Sequence, residues 1–127
     1  MLGATGVAPY NYSENTSTII GSWVSGYPKT NIFDSSTTNP GKIAPYGYIV
    51  VALPNITGNI GVKVYGDSSG YPGNVLWKDD GGNTSINTTS TTTVYHNATN
   101  CYKIYYYNGL DPSMWEITVD GVALEDP

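Results

Sequence analysis

The chain contains no arginine. Its cations are five lysines, set against ten acidic residues, for a net charge of −5 over 127 residues. Proteins that bind nucleic acid neutralise phosphates with Lys and Arg, and bidentate phosphate recognition needs the guanidinium fork. This composition therefore excludes nucleic acid as a partner. Charge of either sign is scarce at 12%, roughly half the usual quarter. There is no run of 18 apolar residues, so no helical membrane span is expected. The opening MLGATGVAPY has no basic segment and is too short for a signal peptide. It reads as an arm, on a chain whose export signal has been removed or that is assembled inside a host cell as a virion protein.

Chemistry-bearing residues are equally sparse. One cysteine, Cys101, rules out an internal disulfide; it reads as a buried small hydrophobe, with a bridge between subunits as the alternative. His96 is the sole histidine, so the three or four Cys/His ligands of a zinc site are missing. A Cys101–His96 dyad is disfavoured, because a hairpin turn is expected between them and no cationic cluster would lower the thiol pKa. Glu14, Glu116 and Glu125 are the only glutamates. Glu116 and Asp120 share one face of an expected strand but lie ~13 Å apart by strand rise, too far for a glycosidase pair within that strand. Gly81-Gly82 precedes neither a helix nor Lys-Ser/Thr, so it is no phosphate loop. The expectation is a protein that is not an enzyme and has no cofactor. A structural Ca²⁺ is the one candidate metal, with Asp67, Asp79 and Asp80 as weak ligand candidates in loops flanking one hairpin.

What fills the chain is 15 Thr, 15 Gly, 12 Asn, 12 Tyr and 11 Ser. No amphipathic helical stripe occurs, whereas short runs of β-branched and aromatic residues recur at roughly ten-residue spacing between Gly, Pro, Asn and Asp. Strands are expected over 18–24, 42–53 (ended by Pro54), 60–65, 74–78, 88–95, 101–107 and 114–120. This rhythm predicts an all-β, single jelly-roll-like antiparallel β-sandwich of about eight strands with little helix. Residues 1–17 read as an N-terminal arm or edge strand, 18–121 as the sandwich, and 122–127 as a C-terminal tail. Trp115, with Ile117 and Val119 on its face, reads as core.

The segment GVKVYGDSSGYPGNVLWKDDGG, residues 61–82, is the most specific in the chain. Val62 and Val64 alternate into a core, and Asp67 is placed to accept backbone N–H bonds and start a turn. Gly70 and Gly73 would permit positive φ, Pro72 fixes φ beside them, and Leu76 would re-enter the core. These positions, with Tyr65, resemble a pattern in jelly-roll modules of secreted and viral surface proteins, among them carbohydrate-binding modules and adhesin-like domains. The resemblance implies a fold more than an activity. The acidic, Arg-free, Thr/Asn/Tyr-rich composition also resembles surface proteins of archaeal viruses and archaeal cell-surface filaments.

Two further features point outward. Asn-x-Ser/Thr sequons begin at Asn11, Asn15, Asn55, Asn83, Asn87 and Asn97, more than this composition gives by chance, and mark glycosylation candidates on surface segments. There is also one Phe to twelve Tyr. A closed core is as well served by Phe, which has no hydroxyl to satisfy, so the tyrosines suggest rings that lie half in and half out. In YKIYYYNG, residues 102–109, rings fall on both faces of an expected strand. Tyr71, Trp77, Tyr105 and Tyr107 are the candidate ligand or interface aromatics, Tyr71 and Trp77 as an exposed pair. The function expected is a non-catalytic structural or attachment protein, extracellular or on a virion, that self-associates or packs on other coat or surface subunits. A carbohydrate-binding module of a secreted or surface protein is the alternative, with glycans as partners.

Overall fold

Two long strands organise the molecule. In the computed structural model, which describes residues 9–127, Tyr48–Val64 and Thr92–Tyr107 run antiparallel from Tyr48↔Tyr107 to Val64↔Thr92. In chain order the strands are β1 (Thr16–Ile19), β2 (Gly41–Lys42), β3 (Tyr48–Val64), β4 (Gly73–Asp79), β5 (Gly82–Thr88), β6 (Thr92–Tyr107), β7 (Ser113–Val119) and β8 (Val122–Ala123). They form one antiparallel sheet, ordered β2-β7-β3-β6-β4-β5, with β1 added on β3 and β8 on β7. The fold is all-β, antiparallel and eight-stranded, as the strand rhythm predicts, and it is not a closed barrel.

The β3/β6 ladder breaks between Ala52 and Ile56 and again between Ile56 and Gly58. Strand neighbours change there. Before the break β3 pairs with β1, and the matching end of β6 pairs with β4, which holds β5. After it β3 pairs with β7. The side-chain alternation also changes phase: Ile49, Val51 and Leu53 are buried on one side of the break, and Ile60, Val62 and Val64 on the other. Both halves therefore turn their apolar faces into one core, joined by Val75, Trp77, Val94, Ile104, Tyr106, Met114 and Ile117. Trp77 on the first half lies 5.6 Å, ring to ring, from His96 on the second. The fold-over is compatible with a β-sandwich.

The sequence carries the break. Pro54, which has no N–H to donate, sits in the unpaired interval. Asn55 and Asn100 adopt φ of 53°, a conformation Asn tolerates better than most residues. Thr57 Oγ1 accepts the Asn100 N–H at 3.0 Å and so ties the two bends together. Pro54 is thus no strand end. The expected strand over 88–95 and the expected turn between His96 and Cys101 are corrected too. The turn falls between β5 and β6, and β6 runs through His96 and Cys101 without reversing.

Smaller corrections follow from pairing. The N-terminal boundary shifts: β1 covers Thr16–Ile19 rather than 18–24, and the part of the arm at residues 1–8 lies outside the described residues. Trp23 makes only an isolated bridge to Ile43. The last six residues are no free tail. Leu124 N–H donates to Ile117 O at 2.8 Å and Asp126 N–H to Phe33 O at 3.1 Å. Asp126 Oδ1 accepts the Ser13 N–H at 3.0 Å. The Asp126–Phe33 bond ties this end to a 3-10 turn, Lys29–Phe33, whose Ile32 and Phe33 enter the core. Trp115 is only half-buried, because it falls in a register shift where Lys63 opposes Glu116 but Val64 opposes Met114. The extra residue of such a bulge is turned out of the alternation.

Candidate functional site

The outward face of the five-stranded half follows from strand registers. Residues paired across strands point to the same side, so three rows can be read across the sheet. The first is Ile19, Tyr48, Tyr107, Asn74, Asn87; the second is Ser17, Val50, Tyr105, Leu76, Ser85; the third is Ala52, Lys103, Lys78, Asn83. The alternate residues Ile49, Val51, Ile104, Tyr106, Val75 and Trp77 are buried on the inner side.

This assignment corrects the candidate aromatics. Trp77 is fully buried, whereas Leu76, expected in the core, faces outward. A shift of one residue in a strand exchanges its faces, and the acidic turn after Trp77 pointed to the wrong one. Tyr105 and Tyr107 do lie together on the outward face. Tyr71 lies apart, at the loop end of the sheet. A Cβ built on Gly109 would meet the Tyr71 ring at 3.4 Å and the Tyr46 ring at 3.1 Å.

Tyr48, Asn74, Leu76, Ser85, Asn87, Tyr105 and Tyr107 line an open groove of about 270 Å³. Its floor is aromatic and aliphatic, and its rim is amide and hydroxyl. Tyr48 and Tyr107 stand 4.9 Å apart, centroid to centroid, at 38°. Lys78 Nζ and Lys103 Nζ sit 5.6 and 6.0 Å from the Tyr105 ring centroid, within cation–π range. These lysines oppose each other in the ladder. The three rows contain no carboxylate, although the chain carries ten. As groove residues, sequence reasoning missed Tyr48, Asn74 and Ser85; it read Leu76 as core and gave Asn87 only as a glycosylation candidate. Only the pairing of β4 with both β5 and β6 brings them beside Tyr105 and Tyr107.

The other candidates are spread over the molecule. Asn15, Asn55, Asn83, Asn87 and Asn97 are exposed. Asn11 is less free: its amide donates to Glu14 Oε1 at 2.8 Å, and its oxygen accepts from Ser13 Oγ and Glu14 N–H. Asp67 and Asp79 lie at opposite ends of β4, roughly 20 Å apart by strand rise, so they share no site. Asp67 accepts from the Tyr65 hydroxyl and from Ser69 N–H. The Tyr65 hydroxyl and the Ser69 N–H hold its carboxyl below the ordinary carboxylate value, and the same bond raises Tyr65 to about 12. Asp79 accepts from Thr99 N–H, Gly81 N–H and the His96 ring. Thr99, then His96 and Gly81, lower its pKa against the opposing effect of desolvation. Asp80 receives the Asn100 amide. Among the described residues no three His, Cys, Asp or Glu side chains converge as a metal site. Cys101 is buried, and that burial pushes its thiol pKa up. No helix among the described residues is long and apolar enough to cross a membrane.

One buried polar cluster went unforeseen. Asn108 is fully buried, and its amide nitrogen donates to Tyr71 O and Pro72 O at 2.9 and 3.1 Å. Its oxygen accepts the N–H groups of Leu110 and Asp111, both at 2.8 Å. The cluster fixes the loop end beside the groove. No protein-family model matches the chain, and neither does any curated protein.

Proposed function

We propose that the protein is a non-catalytic structural or attachment subunit of a virion or cell-surface assembly, and that it packs on neighbours through the outward tyrosine face. The observation that carries this reading is the three-row face itself. It presents Tyr48, Tyr105, Tyr107, Leu76 and Ile19 outward, over a buried Val50, with no carboxylate in its rows. Tyr is favoured at interfaces and Lys is depleted from their centres. Here the tyrosines are central and the lysines stand at one end. The exposed sequon asparagines outside those rows, Asn15, Asn55 and Asn97, fit an extracellular or virion-surface location, as does the likeness in composition to archaeal surface proteins. Light scattering on a size-exclusion column tests the reading. Association that rises with concentration and is lost in a Tyr107→Ser variant supports it. Association unchanged by Tyr107→Ser counts against it.

The groove favours a second reading, a carbohydrate-binding module. Tyr105 and Tyr107 would stack on sugar C–H faces while Asn74, Asn87 and Ser85 take hydroxyls. Saturable binding of a soluble oligosaccharide to a monomer, abolished by Tyr105→Ser, would establish it in place of the first.

A further inference from the structure

The four outermost strands of the sheet are not alike. β1 has four residues, and β2 and β8 have two each. Such brevity is a common way to keep an edge from pairing with another chain. β5 has seven residues, and its register with β4 runs without interruption from Gly73↔Thr88 to Asp79↔Gly82. Its free side is a straight row of backbone donors and acceptors. The strand reads GNTSINT and carries no charge, no proline and no bulge. None of the usual guards is present.

Its sequence is also close to a mirror of itself. About Ser85, Asn83 stands opposite Asn87 and Thr84 opposite Ile86. An antiparallel two-fold pairing of β5 with a second β5 would set Ser85 against Ser85 and Asn83 against Asn87. Thr84 would meet Ile86 on the opposite, inner face. Amides would thus meet amides, and the partly buried Ile86 would gain a Thr methyl. No like charges would oppose each other. Such a contact is isologous and closes as a dimer.

We infer that β5 is a self-pairing edge, and that two copies of this chain join through it into one continuous sheet centred on Ser85. The inference extends the proposed assembly by naming a contact separate from the tyrosine face. The added hydrogen bonds are main chain to main chain, the recognition mode of strand addition. The tyrosine faces of the two copies then lie on the same side of the joined sheet.

Engineered crosslinking tests the register. Directly opposed residues have Cα atoms about 4.5–5.5 Å apart, within the ~4.4–6.8 Å that a disulfide spans. A Ser85→Cys variant, oxidised at the concentration where the wild type associates, should give a covalent dimer of about 27 kDa, twice the 13.6 kDa chain. Asn87→Cys alone should not crosslink, because its partner is Asn83. The Asn83→Cys/Asn87→Cys double variant should. Buried Cys101 leaves little background. A Ser85→Cys variant that stays monomeric, or single variants that crosslink equally, would overturn the inference. The two proposals fail separately. Association lost in Tyr107→Ser with no Ser85→Cys dimer leaves the face and removes the edge. A Ser85→Cys dimer with Tyr107→Ser without effect leaves the edge and removes the face.

Discussion

Trp77 is the largest fully buried side chain, and its indole N–H has no hydrogen-bond partner within the described residues. Two opposing terms meet there. Truncation to Ala empties a large core volume and should destabilise by about 3–5 kcal/mol. An unpaired buried donor, however, already costs about 1–3 kcal/mol. Trp77→Phe removes that donor and keeps most of the ring, so it should cost less than half as much as Trp77→Ala in urea melts. Equal losses would mean that the indole N–H is satisfied. Cys101 gives a second residue-level expectation. Its raised thiol pKa and its burial should protect it from iodoacetamide until the chain unfolds, as read by mass spectrometry; rapid labelling of native protein would contradict this. Asp67 and Asp79 set the acid limit. Both carboxyls are held below their ordinary value, so the folded chain binds fewer protons there than the unfolded one. The stability they contribute is present above the unfolded carboxylate range and lost as pH falls through their folded values. Melting temperature should drop on acidification below about pH 4, and a D67N/D79N variant should show a shallower drop. A wild-type curve flat down to pH 2 would remove this account.

At the scale of elements, the 61–82 segment shows what sequence reasoning can and cannot reach. Val62 and Val64 are in the core, and Asp67 starts its turn, as the residue types imply. Gly70 does have positive φ, at 96°. Gly73 is needed for another reason: a Cβ there would lie 2.5 Å from Tyr65 O, a clash with backbone that only a main-chain shift relieves. Gly73→Ala should therefore destabilise more than Gly70→Ala, whose Cβ would meet nothing within 4 Å and whose cost is that of a strained φ, about 1 kcal/mol. The reverse order in thermal melts would refute the distinction. Strand existence was legible because alternation is local. The phase of β4 was not: Leu76-Trp77 offers two apolar residues in succession, and only the neighbours β5 and β6 decide which one turns inward. The continuity of β3 and β6 was hidden for a similar reason. Pro54, Asn55 and Asn100 look like turn residues locally, but the partner strand bends at the same level and turns them into a shared bend. The candidate site shared this fate, with Tyr105 and Tyr107 visible in the sequence and the rim supplied from strands distant along the chain.

For the whole molecule, the stretch 104–107 resolves into two roles, while Tyr102 is exposed outside both. Ile104 and Tyr106 belong to the core, where the Tyr106 hydroxyl donates to Tyr65 O at 2.8 Å. Tyr105 and Tyr107 belong to an outward face that carries lysines but no acid, in a chain of net charge −5. That face, beside an unguarded seven-residue edge, is the ground for the proposal that the molecule is an assembly subunit. The most direct test is the solution mass, measured by light scattering across a tenfold concentration range at near-physiological salt. The account predicts a mass that exceeds 13.6 kDa and grows with concentration toward a dimer or larger species. A constant 13.6 kDa monomer throughout would contradict it and leave the tyrosine face to a ligand of another kind.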